Sequence, residues 1–267
     1  PMAGLSAEEA FDVRPYAQRL AYALLRKDLT GNLPRKFKIS FDGCGRNCVA
    51  AGINDIGLHA VVRDGRRGFR VVIGGGLGPL PVEARLLDEF LPVEQLIHRV
   101  EAVIRVFNRY GNRKNRNMAR MKFVIRERGW EWMREAVDSA WADIQLEGGI
   151  AWPETVPEGF GGFQSTPERL ELPVLPVVNG NGHGGAFAAW METNAIPQKQ
   201  PGLYAAIVRL DQGNLTGAQM RSLACLSGAG DGTFRVGIDQ NLVMVGVPRE
   251  RLPQVHAALE ELGLAGA

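Results

Sequence analysis

The N-terminal half of the chain contains short stretches in which hydrophobic and polar positions alternate. They predict strands over residues 33–41, 53–62 and 69–73, because successive side chains of a strand point to opposite faces. Before them, residues 6–9 match a capping box, which predicts a helix that ends at about Lys27. The chain is therefore expected to begin with a helix and to continue into a sheet.

A helical pattern follows these strands. Pro81 and Pro92 are each well placed to begin a helix, because proline fits the first helical turn. Hydrophobic residues then recur at helical spacing to about Leu146, with a break near residues 110–112. The intervening residues 74–79 are rich in glycine and are predicted to form a loop.

The composition changes at Gly148. From there to Pro201 proline and glycine are frequent, which predicts a linker, interrupted by a short helix around residues 187–193. We therefore expect an αβ module over residues 1–147 and a separate unit over residues 202–267.

The last part of the chain predicts three more strands and two more helices. The strands are expected over residues 204–210, 233–238 and 242–247. Thr216 caps a helix after the first of them, and Pro253 begins the last helix. This βαββα order is half of a ferredoxin-like sandwich and gives the chain an α+β fold class.

Composition narrows the classes of partner. The 31 basic side chains nearly balance the 29 acidic ones, so the net charge favours neither nucleic acid nor a membrane surface. No hydrophobic run approaches the ~20 residues that a membrane span needs. The three cysteines are too few and too scattered for a disulfide framework, and we expect a cytoplasmic protein.

Two lysines are candidate catalytic residues. On the first predicted strand Lys36 and Lys38 share one face, and Phe37 and Ile39 share the other. Two ammonium groups roughly 7 Å apart repel each other unless water or an anion lies between them. The spacing leaves two interpretations open, an anion site or a half-exposed strand with a solvated face.

The cysteines do not form a recognisable set of metal ligands. Cys44 and Cys48 suggest an iron–sulfur site, but a four-thiolate cluster needs more cysteines than the three in the chain. The third, Cys225, lies far along the sequence in the other predicted unit. We therefore expect two buried or idle thiols, no metal ligands, and no [4Fe-4S] cluster on the isolated chain.

Several separated motifs resemble the siroheme-dependent nitrite and sulfite reductases. Residues 33–38 look like the strand of that family that carries two substrate-binding lysines. The other matching segments, in the family's order, are residues 54–59, 68–69, 74–78, 101–107, 115–123, 198–202, 215–219 and 234–242. The resemblance covers nearly everything outside the predicted linker.

The resemblance implies a chain made of two family modules. Residues 1–147 are similar to the first siroheme-type αβ module, and residues 202–267 to the second ferredoxin-like half-module. In that setting Lys36 and Lys38 would lie over the siroheme iron, attract nitrite or sulfite and protonate its oxygens.

The same resemblance implies cofactor-binding residues. Arg35 would pair with a siroheme carboxylate through its planar guanidinium. The other matching positions are Asn54, Gly74, Gly75, Gly76, Gln240 and Asn241. The three glycines would bring bare N–H groups close to a carboxylate, although tight turns explain them equally well. A polar turn explains the glutamine and the last asparagine nearly as well.

The family places its [4Fe-4S] cysteines in a second siroheme-type module, which is expected to lie outside this chain. The cluster and an electron donor such as ferredoxin would then belong to a parent enzyme. The basic residues 99–134 are interpreted either as a docking surface for that donor or as a solvated helix face with some arginines turned inward. Two alternatives stay open: a precorrin-3B synthase-like member of the family, which the lysine pair disfavours, and a non-catalytic truncated paralogue that binds a tetrapyrrole or a protein partner.

Overall fold

A computed structural model of the chain describes residues 2–45, 47–78, 80–158, 160 and 184–266. The chain divides into two compact units. The first consists of Glu9–Phe163, and the second of Pro1–Glu8 together with Gln164–Ala267. Helices and sheets occur in both, as the α+β class predicts.

The first unit contains a four-stranded sheet in the order β1-β2-β3-β4. Its strands are β1 (Ile39–Asp42), β2 (Ile56–Arg63), β3 (Arg66–Ile73) and β4 (Arg85–Pro92). The first pair is parallel and the other two pairs are antiparallel. Asp64 and Gly65 connect β2 to β3 with φ angles of 51° and 74°, the backbone that a tight hairpin turn requires.

Among the described residues of this unit, five α-helices accompany the sheet. They are α1 (Arg14–Leu24), α2 (Asp28–Gly31), α3 (Leu96–Tyr110), α4 (Met121–Arg128) and α5 (Trp130–Glu147). Helix α3 buries Leu96, Val100, Val103 and Phe107, whose spacing of three and four residues forms one apolar stripe. The predicted break after this helix is confirmed by its end at Tyr110. None of the helices among the described residues is both long and apolar enough to cross a membrane.

The first predicted helix begins only at Arg14, because the capping box at residues 6–9 does not form. The Ser6 hydroxyl accepts a hydrogen bond from the N–H of Glu8 at 3.2 Å, whereas a capping box requires the N–H of residue 9. Ser6 instead pairs with Gln198, and Glu9 pairs with Cys44, as isolated β-bridges. Tertiary strand pairing therefore replaces the local cap, and α1 starts at Arg14.

Two further predictions of secondary structure are wrong. The residues after Pro81 form strand β4 rather than a helix, since they pair along the free edge of β3. Of the predicted strand over residues 33–41, only Ile39–Phe41 lie in β1. Propensity and periodicity decide neither case, because pairing with a neighbouring strand is a tertiary interaction.

The second unit contains the predicted βαββα order. It consists of β6 (Leu203–Val208), α7 (Gly217–Leu226), β7 (Phe234–Val236), β8 (Leu242–Pro248) and α8 (Leu252–Glu261). The sheet also contains β5 (Ala195–Pro197), and its order is β5-β6-β8-β7 with antiparallel pairing throughout. The capping box of Thr216 and Gln219 forms with both of its hydrogen bonds, which confirms the predicted start of α7.

Part of the predicted linker belongs to this second unit. Residues 184–197 form α6 (Gly184–Asn194) and β5 (Ala195–Pro197). Trp190 of α6 is fully buried in the hydrophobic core of the unit, and β5 pairs with β6. The unit therefore extends well ahead of residue 202. Residues 148–158 and 160 of the predicted linker form neither helix nor strand, and its residues 159 and 161–183 lie outside the described residues.

Candidate functional site

The two candidate lysines precede β1 on an extended segment. Lys36 and Lys38 are both exposed, and Phe37 between them is half-buried, so the predicted alternation holds although the segment is not a strand. The ring of Phe37 stacks on Phe107 of α3 with centroids 5.4 Å apart. This contact turns the two ammonium groups to the opposite side of the backbone from the core.

A buried carboxylate fixes the end of this segment. The N–H of Lys38 donates to Oδ2 of Asp55 at 2.9 Å, and the carbonyl of Lys38 accepts from Ile56 at 3.0 Å. Asp55 is fully buried, and two nitrogens of Arg120 donate to its carboxylate at 3.2 and 3.0 Å. Burial raises the pKa of Asp55, and the positive charge of Arg120 opposes this shift. The position of the Lys38 backbone therefore depends on this ion pair.

The sequence interpretation gave Asp55 and Arg120 no role, although both lie in motifs that resemble the family. They are 65 residues apart in sequence, and only the fold brings them together. The sequence does contain an acidic residue in the motif at residues 54–59 and, later in the chain, a segment rich in arginine, so an ion pair between them was conceivable. These two features do not identify which arginine is the partner.

The glycine loop does not present bare N–H groups. Those of Gly74, Gly75 and Gly76 donate to the carbonyls of Asp55, Asn54 and Val82 at 2.9–3.0 Å. A Cβ on Gly75 would lie 2.2 Å from the carbonyl oxygen of Gly52, so this position requires glycine for close packing. The predicted use of these N–H groups for a siroheme carboxylate is therefore wrong, because protein carbonyls already occupy them.

Lys122 stabilises the end of the same loop. Its ammonium donates to the carbonyls of Gly76, Leu77 and Leu80, and the side chain is only 4% exposed. Burial lowers the pKa of Lys122, and the neighbouring Arg120 contributes to this shift. Lys122 is thus a structural cation of the loop.

Asn54 and Asn241 both use their side chains to hold turns. Asn54 donates to the carbonyls of Val49 and Ala50 in the first unit. In the second unit Asn241 accepts from the N–H of Leu210 at 2.8 Å and donates to the Asp239 carboxylate at 2.7 Å. Gln240 beside it is exposed and has a φ of 66°, as in a tight turn. The structure thus places the predicted site residues in two groups, with these last two in a different unit from the lysines.

The basic segment divides into an exposed part and an inward part. Arg99, Arg120 and Lys122 are turned inward, and Arg105 is partly buried. The exposed cations are Arg109, Arg113, Lys114, Arg116, Arg126, Arg128 and Arg134. Arg128 lies over the rings of Tyr110 and Trp132, with 4.8 and 4.6 Å between guanidinium carbon and ring centroid. Some of the exposed charge therefore has a packing role.

Cys44 and Cys48 are free thiols in contact with each other. Their sulfurs are 3.4 Å apart, and the Cys44 sulfur lies 3.7 Å from Oδ1 of Asp42. Burial, followed by the hydrogen bond with Cys44, raises the pKa of Cys48 to about 12. With so high a pKa this thiol stays protonated at neutral pH and is a poor nucleophile.

Two family models match the chain. Residues 1–144 match the nitrite and sulphite reductase 4Fe-4S domain, and residues 196–262 match the nitrite/sulfite reductase ferredoxin-like half domain. The second match begins within β5, in agreement with the early start of the second unit.

The curated relatives include both nitrite reductases and a sulfite reductase component. An assimilatory ferredoxin-dependent nitrite reductase of Haloferax mediterranei is 29% identical over 96% of the chain and 42% of its own length. A ferredoxin–nitrite reductase of Synechococcus elongatus is also 29% identical, over 96% of the chain and 45% of its length. The NADPH sulfite reductase hemoprotein beta-component of Xanthomonas oryzae pv. oryzae is 29% identical over 87% of the chain and 37% of its length.

A solved structure has the same fold. The Mycobacterium tuberculosis NirA protein superposes with a TM-score of 0.71 at 24% identity, over the whole chain and 43% of its own length. The chain thus spans less than half the length of each of these proteins. With a family model that matches more than half of its residues, the chain belongs to the nitrite and sulfite reductase family.

Proposed function

We propose that this chain supplies the anion-binding lysines and part of the siroheme pocket of a nitrite or sulfite reductase. The observation that carries the proposal is the pair Lys36 and Lys38, exposed on one side of an anchored backbone segment. Within the described residues neither ammonium has an ion pair or a side-chain hydrogen bond. Two free cations so close together favour an anion between them.

The local charge also suits siroheme, which is rich in carboxylates. Arg35 adds a third cation to the same segment, likewise without an ion pair in the described part of the chain. Its guanidinium would hold a siroheme carboxylate through two parallel hydrogen bonds. Asn54 and the glycines at 74–76 would shape the pocket through the loops they stabilise. When bound, siroheme supplies the iron that coordinates the substrate and the conjugated ring that delivers electrons.

Each of the two lysines has two tasks in this proposal. Their positive charge attracts the substrate anion and stabilises negative charge as electrons arrive. Each ammonium also donates a proton to an oxygen that leaves as water, the role of a general acid. A lysine is suited to this role because its compact ammonium carries three donors on a flexible stem. The same pocket fits nitrite and sulfite, since both are small oxyanions.

The remaining components would come from other parts of the enzyme. A cluster with four thiolates needs more than the three cysteines of this chain, so the [4Fe-4S] ligands would lie in a second siroheme-type module. Two of the relatives are named as ferredoxin-dependent, and we propose a ferredoxin as electron donor here as well.

Methionine at position 36 or 38 tests the lysine role in the complete protein that contains this sequence. Methionine keeps most of the stem volume and removes the charge. We expect turnover of nitrite or sulfite to fall by ~10²-fold or more, the usual effect of losing a general acid or a charge stabiliser. Siroheme content, measured from its visible absorbance, should stay close to that of the unchanged enzyme.

Arg35→Met is the matched control, because it removes a cation from the same segment. It should chiefly lower siroheme occupancy. If the lysine variants lose siroheme in proportion to activity, the lysines anchor the cofactor and are not proton donors. If they retain both siroheme and full turnover, the chain has a different function.

A further inference from the structure

Three potential metal ligands meet at the end of β1. They are the carboxylate of Asp42 and the thiols of Cys44 and Cys48, and their ligand atoms all lie within 4.8 Å of one another. Asp42 and Cys44 are 2% and 8% exposed, so two of the three are buried. The proposed anion site uses none of these residues.

The fold holds these three side chains in place. Asp42 ends β1, where it pairs with His59 of β2, and the backbone of Cys44 bridges to Glu9. Asn47, between the two cysteines, and Ala50, just after them, have left-handed backbone, with φ angles of 52° and 47°. For alanine this conformation costs about 1 kcal/mol, so contacts of the surrounding structure hold the loop in this shape.

The Asp42 carboxylate gives independent support for a ligand. Its Oδ2 atom is buried and accepts no hydrogen bond from the described residues. The nearest basic atom is Nδ1 of His59 at 3.9 Å, beyond hydrogen-bond distance. A buried carboxylate oxygen without a partner is costly, and a cation beside it would remove that cost.

We propose that Asp42, Cys44 and Cys48 bind a single thiophilic divalent cation, with Zn²⁺ as the best fit. Tetrahedral zinc with its usual bond lengths separates two thiolate sulfurs by about 3.8 Å, and a sulfur and a carboxylate oxygen by about 3.5 Å. Here the two sulfurs are 3.4 Å apart, and the Cys44 sulfur lies 3.7 Å from Oδ1 of Asp42, the other oxygen of the same carboxylate. Binding displaces the two thiol protons to solvent, and His59, with Nδ1 at 3.9 Å from Oδ2 of Asp42, is a candidate for the fourth position. The cation would close the loop after β1.

Cobalt titration of the 267-residue chain tests this site. The reduced, metal-free chain is titrated anaerobically with Co²⁺, whose bonds to thiolates absorb in the near ultraviolet. We expect this absorbance to saturate at one equivalent and to disappear when Zn²⁺ is added. Cys44→Ser and Cys48→Ser should abolish it, and Asp42→Asn should weaken Co²⁺ binding at least tenfold. Cys225→Ser, which changes the cysteine of α7, should leave it unchanged.

A second measurement needs no variant. Zn²⁺ should protect two of the three thiols from alkylation, and mass spectrometry should place the remaining reaction at Cys225. Absence of the cobalt–thiolate band in the folded, reduced chain would overturn the proposal. So would equal binding by the Cys44 and Cys48 variants, or a requirement for sulfide, which would indicate a cluster.

Discussion

Lys38 combines an exposed charge with a firmly held backbone. Its ammonium is free of ion pairs among the described residues, whereas its N–H is bound to the buried carboxylate of Asp55. That carboxylate depends in turn on Arg120. A residue distant in sequence therefore determines where the proposed acid lies, and the precision of the site depends on this buried pair.

Arg120→Met tests the importance of the pair. It leaves Asp55 buried without its counter-ion, and we expect the free energy of unfolding in urea at neutral pH to fall by about 3–5 kcal/mol. Arg134→Met, which removes one partner of the exposed Arg134–Glu131 pair, should cost less than about 1 kcal/mol. Equal losses in the two variants would show that the buried pair has no special role.

The pH dependence of the Arg120→Met variant has a definite sign. Burial already raises the pKa of Asp55, and loss of the arginine should raise it further above the unfolded value. A carboxyl with a raised pKa in the folded state contributes stability below its unfolded pKa, and this contribution is lost as the pH rises through the folded pKa. The loss of unfolding free energy in the Arg120→Met variant should therefore be smaller in acidic buffer than at neutral pH. Adding Asp55→Asn to this variant should remove most of this pH dependence.

Among the secondary structure elements, α7 has the clearest local determinant. Oγ1 of Thr216 accepts from the N–H of Gln219 at 3.1 Å, and the Gln219 side chain accepts from the N–H of Thr216 at 2.9 Å. Thr216→Ala should lower the free energy of unfolding by about 1 kcal/mol, because it leaves an N–H of the first turn without its acceptor. Thr216→Ser keeps the hydroxyl and should recover most of the loss, measured by thermal or urea unfolding. If Thr216→Ser lowers the free energy of unfolding as much as Thr216→Ala does, the loss comes from the threonine methyl group and not from the hydroxyl.

The extent of the second unit can be tested on the whole molecule. Trp190 of α6 lies in the core of this unit, and Asn194 donates to the carbonyls of Ile207 and Gly266. We therefore expect the stable C-terminal fragment from limited proteolysis to retain residues 184–266, as read from its mass. A stable fragment that begins near residue 202 would show instead that α6 and β5 are dispensable.

The sequence by itself determined what depends on local chemistry. The capping box of α7, the helical stripe of α3 and the βαββα order follow from spacing along the chain, and all three are present. The alternation around Phe37 also predicted correctly that Lys36 and Lys38 are exposed and that Phe37 is half-buried. The motifs indicated the correct family, because a series of residue types in a fixed order can be recognised even where the predicted end of a helix or strand is wrong.

Only the tertiary structure decided which distant groups meet. The residues after Pro81 were predicted to be helical but form a strand, because they pair with β3. Part of the predicted linker belongs to the second unit, because Trp190 is buried in the core of that unit. The N–H groups of the glycine loop were already satisfied, and Asp55 met Arg120 across 65 residues. Each outcome depends on a contact between segments far apart in sequence, and local propensity contains no information about such contacts. For the same reason the approach of Asp42 to the two thiols was visible only in the folded chain.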